Sequence, residues 1–171
     1  MLARPILSLT MKALFDRYAP LDARLAQFLR RHGVRLLRWA LGIVFIWFGA
    51  LKFFRGASPA EALVKAMVPF FDPDRFYPLL AVWEVLIGVL LLVRPGTRLA
   101  LLLLALQMPG TFLPFAVLPH MCWARFPFEA PWDVFVLTIE GQYIVKNVVL
   151  VAAALVVGGT VRRPSTPEQR L

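Results

Sequence analysis

Two residues of opposite charge stand inside stretches that are otherwise apolar: Glu84 within residues 76–93 and Lys146 within 141–161. Counted from the ends that face the same side, Glu84 lies roughly 12 Å deep and Lys146 roughly 9 Å deep at 1.5 Å per helical residue. An unpaired charge out of water is strongly unfavourable, so matched depths predict a Glu84–Lys146 ion pair. Around Lys146 the residues Glu140, Gln142, Tyr143 and Asn147 fall with it within an arc of about 160° at helical spacing. Lys52 shares a face with Gly42, Phe45 and Gly49, which turns it inward near the same end. Gln107 and Thr111 flank Pro109 and could serve carbonyls that the proline leaves without a donor. Lys52, Glu84, Gln107, Thr111, Glu140, Gln142, Tyr143, Lys146 and Asn147 are therefore the candidate pocket residues. Two readings of this cluster stay open: a salt-bridge network that fixes helix packing, or a polar pocket for a small head group such as a quinone ring.

The elements that must position these residues are membrane spans. Of the 171 residues, 60% are hydrophobic and 17% charged, and mean hydropathy is +0.70. A lipid-spanning helix needs about 20 mostly apolar residues. Four windows qualify, at about 36–54, 76–93, 99–119 and 141–161. The fold expected is all-α, an integral membrane four-helix bundle. In domain terms, 1–34 is a cytoplasmic amphipathic segment, 35–161 the four-span domain and 162–171 a cytoplasmic tail.

Charge orients the bundle. The net charge is +9. The segment up to Arg38, the pair Arg94 and Arg98, and the tail after Gly159 together carry +10, leaving −1 elsewhere. Positive charge on alternate loops is the positive-inside pattern of a chain with both termini in the cytoplasm. The basic balance thus reports topology, and no nucleic-acid partner is expected.

The connecting segments have their own signals. Residues 12–31 read as an amphipathic helix, with Leu14, Tyr18, Leu21, Leu25 and Phe28 at helical spacing and Arg17, Arg24, Arg30 and Arg31 as basic positions. Such a helix suits an anionic leaflet, or docking against the protein's own helix ends. Ser58-Pro59-Ala60-Glu61 has capping-box form and predicts a short external helix ending near Pro69. Phe70, Phe71, Phe76 and Tyr77 fit an interfacial aromatic belt. Pro109, Pro114 and Pro119 make the third span irregular, a kink that either shapes packing or lines a cavity. On the second span Ala81 and Gly88 flank Glu84 as a small-residue stripe for close helix approach. On the fourth, Leu150, Ala153, Ala154 and Gly158 continue the inward arc, while Ile144, Val148, Val151 and Leu155 are expected to face lipid. The aromatic loop 120–139 is expected to cap the bundle.

Other chemistries are limited. Cys122 is the only cysteine, so an intrachain disulfide or redox pair is excluded. The charged N-terminal stretch lacks the compact apolar core of a cleaved signal peptide. His32 and His120 are expected on opposite sides of the membrane, so no b-type haem is expected. His120, Met121 and Cys122 are the weak candidates for a soft metal, because adjacency is not ligand geometry.

Two segments carry a family resemblance. Residues 35–53, RLLRWALGIVFIWFGALKF, and 138–147, TIEGQYIVKN, together with Glu84 in an apolar second helix, resemble the DoxX and DoxX-like membrane proteins over roughly residues 35–160. The resemblance implies a four-helix protein of the bacterial inner membrane. The family's founding member is similar to a subunit of a thiosulfate:quinone oxidoreductase, and other relatives are linked to redox stress or partner assembly. Lys52, Glu84, Glu140, Lys146 and Asn147 are the matching motif positions. The function expected is a membrane subunit of a redox or stress-response system, an oxidoreductase subunit if an enzyme at all, with quinone as the candidate cofactor. The alternatives are a non-catalytic scaffold holding a protein partner, or a small-solute transporter acting as an oligomer. Membrane lipids, a partner protein or a second copy are the expected partners.

Overall fold

The structure is a computed structural model in which residues 3–68 and 72–161 are described, with side chains from Tyr18 onward. The chain falls into two compact units divided between Leu36 and Leu37. Eight α-helices are described. They are α1 (Ala3–Leu51), α2 (Glu61–Met67), α3 (Pro73–Leu92), α4 (Thr97–Phe112), α5 (Pro114–Val117), α6 (Pro119–Cys122), α7 (Ile139–Val145) and α8 (Asn147–Gly159). Among the described residues there is no β-strand, only an isolated bridge between Trp123 and Leu137.

Four helical stretches are long and apolar enough to cross a membrane: Tyr18–Leu51, Pro73–Leu92, Arg94–Val117 and Ile139–Gly159. Their exposed faces are apolar, including Ile43 and Trp47 on α1, Leu79 and Leu86 on α3, Leu102 and Leu106 on α4, and Val149 and Leu155 on α8. So large an apolar surface is untenable in water and is matched by lipid chains. The protein is an all-α, four-span membrane protein.

The first unit is one stretch of helix. Tyr18, Leu21, Leu25, Phe28 and Leu29 are exposed, and Phe28 lies against His32 at 4.8 Å between ring centroids. Residues 12–31 do not form a helix of their own, because α1 is unbroken from Ala3 to Leu51. From Leu21 to Trp39 the sequence is mostly Leu, Ala and Arg, strong helix formers, and it carries no proline. Side chains before Tyr18, among them Leu14 and Arg17, lie outside the described residues.

In the second unit, one face of α1 packs directly on α3. A Cβ on Gly88 would stand 2.5 Å from the Gly42 carbonyl oxygen, and one on Gly49 would stand 2.9 Å from the Val85 amide nitrogen. Glycines seven residues apart on α1 thus meet Ala81 and Gly88, seven apart on α3, as the small-residue stripe predicted. Lipid offers no hydrophobic gain for bringing helices together, so backbone contact of this kind is what binds them. Leu41, Phe45, Ile87, Leu91, Ala100, Leu104, Met108 and Ala154 then form the main core.

The two ends of the bundle differ. At the basic end Arg38 donates to the carbonyls of Leu91 and Leu92, the last turn of α3. The opposite end is capped. Leu63, Cys122 and Ile144 form a second core there, with Phe112, Phe115, Leu118, Met121 and Trp123 against it. Ile144 therefore faces inward, against the lipid-facing position expected of it. The plug of α2 and α6 supplies a core that helical periodicity alone does not reveal. Val151 also packs against the main core where a lipid-facing position was expected, while Leu150, Ala153 and Ala154 turn inward and Val148 and Leu155 outward, as expected.

Tyr77 is also buried, not part of an interfacial belt, because α2 packs against α3. Phe70 and Phe71 lie outside the described residues. The expected capping box does not form. Ser58 Oγ accepts from Ala60 N, and the Glu61 carboxylate accepts from Gly56 N and pairs with Lys65 instead. Helix α2 accordingly starts at Glu61, ahead of which Ala60 offers no side-chain cap.

The loop after α6 folds back on itself, with Trp123 packed on the second core and Phe126, Phe128, Trp132 and Phe135 exposed. Ala124 N donates to Val136 O, Thr138 N donates to Cys122 O, and Trp123 Nε1 donates to Val134 O. The Asp133 carboxylate accepts from the amides of Glu129 and Ala130 and from Arg125.

Candidate functional site

The polar centre is built around Glu84. One carboxylate oxygen receives Lys52 Nζ at 2.5 Å and the other receives Gln107 Nε2 at 2.8 Å. The side chains of Lys52 and Glu84 are only 3% and 10% exposed, so this is a buried pair with both acid oxygens engaged. Lys52 also donates to the Phe48 carbonyl at 3.3 Å. The glycine contact explains the pairing. Gly49 approaches the Cβ of Glu84 itself, and Lys52 follows one turn later on the same face.

The predicted Glu84–Lys146 pair is therefore corrected. Lys146 pairs with no carboxylate among the described residues. Its Nζ lies 3.9 Å from the centroid of the Tyr143 ring and 4.5 Å from that of Phe48. The two rings meet edge to face at 5.6 Å. A cation over aromatic faces is stabilised by their quadrupoles, most strongly where water is scarce.

Lys146 also sits where the fourth span breaks. Helix α7 ends at Val145 and α8 begins at Asn147. The Asn147 amide donates to the carbonyls of Tyr143 and Ile144, at 3.1 and 3.2 Å. Backbone polar groups at membrane depth must be satisfied internally, and Asn147 does this with its side chain. Its role is to patch the break.

The start of the fourth span is equally determined. Thr138 caps α7 by accepting from Gly141 N, and its hydroxyl donates to Met121 O at 2.6 Å. A Cβ on Gly141 would stand 2.1 Å from the Cys122 carbonyl oxygen. The T-x-x-G element is thus a docking joint between the last span and α6. Gln142 donates to the Leu137 carbonyl in the same joint.

Beside Glu84 opens a cavity of about 860 Å³. Its polar wall is Lys52, Glu84, Gln107, Thr111, Tyr143, Lys146 and Asn147, and the rest is mostly apolar, with Phe48, Leu80, Trp83 and Leu150 among the lining. Leu79, Leu106 and Val149 line it too while presenting most of their surface outward. Glu140 and Gln142, predicted pocket residues, are not part of its wall. Gln142 turns back to the Leu137 carbonyl instead, and Glu140 lies in the first turn of α7, while Tyr143, Lys146 and Asn147 of the same arc do line it.

Gln107 was expected to serve the kinked backbone, but its side chain goes to Glu84 instead. That choice fixes its orientation, since a carboxylate can accept only from Nε2. Gln107 Oε1 is left buried with no hydrogen-bond partner among the described residues. Thr111 does bond a carbonyl, that of Gln107, at 3.3 Å. The third span keeps its helix through Pro109, while Pro114 and Pro119 each open a new short helix as its first residue. Tyr77, missed as a polar core residue, keeps its hydroxyl buried with no hydrogen-bond partner among the described residues.

Cys122 is fully buried in the capped-end core, and burial, with a smaller contribution from Glu140, pushes its thiol above the usual range. His120 is exposed, and Met121 packs against the same core as Cys122. Among the described residues no group of three or more His, Cys, Asp and Glu converges.

Four apolar spans, a buried acid–base–amide centre and a partly open cavity lined by several of the helices define a small polytopic membrane protein. Residues 33–117, about half of the chain, match the model of the DoxX family, and the protein belongs to that family. The match includes Lys52, Glu84, Gln107 and Thr111 and ends before the fourth span. No curated protein and no solved structure matches the chain significantly.

Proposed function

We propose that this DoxX-family protein holds a lipid-soluble carrier of the quinone class in its cavity, as the membrane subunit of a redox or stress-response system. The carrying observation is the cavity itself, about 860 Å³, mostly apolar and with its polar groups gathered around Glu84. Ligand chambers commonly have this size and this balance of lining. The polar wall suits a ring bearing oxygen, and the outward-facing apolar lining suits a tail that reaches the bilayer. The charge pattern supports placement in a bacterial inner membrane with both termini in the cytoplasm, which puts the cavity in the outer half of the bundle.

The test uses protein extracted under mild conditions and analysed by native mass spectrometry. Bound quinone is expected on the wild type. Gly110 lines the cavity and a Cβ there meets nothing within 4 Å, so Gly110→Leu is expected to take up part of the chamber at little cost to packing. Loss of quinone from Gly110→Leu at unchanged thermal stability supports the reading. Equal retention by both forms overturns it.

A second reading, a scaffold for a protein partner, is favoured by the exposed Leu21, Leu25, Phe28 and Leu29 of the first unit. A stoichiometric partner that co-purifies with the full chain and is lost on deleting residues 1–31 supports it. A chain that stays solitary under gentle extraction counts against it.

A further inference from the structure

The charged residues of the cavity wall are Lys52, Glu84 and Lys146. Lys52 and Glu84 neutralise each other and are nearly inaccessible, with both carboxylate oxygens already engaged. What an incoming molecule meets is Lys146. It is exposed, faces no carboxylate among the described residues and is braced only by the Tyr143 and Phe48 rings. The chamber as a whole therefore carries one net positive charge, placed about 10 Å from the start of α7 at helical rise.

A cation at that depth is costly unless it is solvated or paired. Aromatic faces offset part of the cost, but they leave the far side of the ammonium open. The group that completes the site is an ionised oxygen acid, and the remaining lining accepts an apolar chain.

The geometry points to a charge preference in this cavity: it binds long-chain amphiphiles with a single ionised carboxylate head, Lys146 being the counter-ion. This rests on the reading of the cavity as a site for lipid-soluble molecules, and it adds a ligand class that competes there with a neutral carrier. One accessible cation suits one ionised head, and the single chain lies along Trp83, Leu80 and Leu106.

The test is photo-crosslinking in nanodiscs of phosphatidylcholine, with diazirine-labelled palmitate, the equally labelled palmityl alcohol and a labelled short-chain quinone as probes. Palmitate is expected to label the wild type at least about tenfold more efficiently than the alcohol, the ratio that separates affinities by about 1.4 kcal/mol. The labelled peptides should contain residues 79–84 or 106–111. Lys146→Met should abolish the preference, and Lys146→Arg should keep it. Circular dichroism melting of both variants separates loss of binding from loss of fold.

Equal labelling by acid and alcohol in the wild type overturns the charge preference and leaves the cavity reading standing. A preference unchanged in folded Lys146→Met overturns the role of Lys146. Labelling by palmitate that excess phosphatidylglycerol removes would assign the cation to a phospholipid head and overturn the single-chain occupant. Failure of every probe, quinone included, to label the cavity peptides overturns the cavity reading itself.

Discussion

Gln107 donates its amide to Glu84 across 2.8 Å, tying the third span to the second at the point where Lys52 ties the first. Three helices thus converge on one carboxylate, and the fourth contributes to the chamber beside it. The acid is the hub on which the polar groups of the bundle depend.

Removing one partner of this hub should be far worse than removing both charges. Glu84→Gln leaves Lys52 buried without its counter-charge, which is expected to cost about 3–5 kcal/mol. The double variant Lys52→Met/Glu84→Gln should recover much of that loss. Equilibrium unfolding in detergent measures all three forms, and simple additivity of the single losses would contradict a coupled pair.

The glycine contact predicts position-specific intolerance. Gly88→Ala places a methyl 2.5 Å from a backbone carbonyl that has no room to yield, and overpacking of this kind costs about 1–3 kcal/mol. Gly110→Ala meets nothing within 4 Å and should be neutral or stabilising by about 0.5–1 kcal/mol. Thermal melts of the two variants should move in opposite directions or differ clearly in size.

The joint between α6 and the fourth span should fail at two residues. Thr138→Val removes the N-cap of α7 and the donor to Met121, an expected loss of about 1–2 kcal/mol. Gly141→Ala drives a methyl into the Cys122 carbonyl and should separate the cap from the bundle. Proteolysis within 124–137 should accelerate in both.

Acid should loosen the cap. Burial pushes the Asp133 carboxyl up, but the amide of Ala130, the Arg125 guanidinium and the amide of Glu129 outweigh it and hold the group below its usual value. A depressed folded-state value means the contribution is complete above about pH 4, the ordinary carboxyl range, and is lost as pH falls through the folded value. Fluorescence of Trp123 and Trp132 should report this low-pH transition. Asp133→Asn should remove the pH dependence.

Cys122 should resist modification. It is fully buried with its thiol raised by burial, and the thiolate is the reactive form. Maleimide should react only after unfolding, and oxidation should not produce a disulfide-linked dimer.

Much of this was legible from residue types. Runs of apolar residues mark the spans because lipid tolerates no unpaired backbone and little charge. The inward face of α1 was legible from Gly42, Gly49 and Lys52. Ile144 and Tyr77 were misread because both are buried by short helices that fold back on the spans, α6 and α2, and periodicity within one helix does not show that. Glu140 and Gln142 share the predicted arc but not the cavity, because Glu140 lies in the first turn of α7 and Gln142 is held to the Leu137 carbonyl, contacts that helical spacing does not show.

The sequence by itself determined that four helices cross, that acid and base lie at one depth and that the bundle has a small-residue seam. Depth follows from residue number, since each helical residue advances the chain by a fixed rise. Which base meets the acid depends on how the helices are arranged around the bundle, and no single helix encodes that. Tertiary structure decided it through Gly42, Gly49, Ala81 and Gly88, whose backbone contact brings Lys52 to Glu84 and leaves Lys146 facing the cavity.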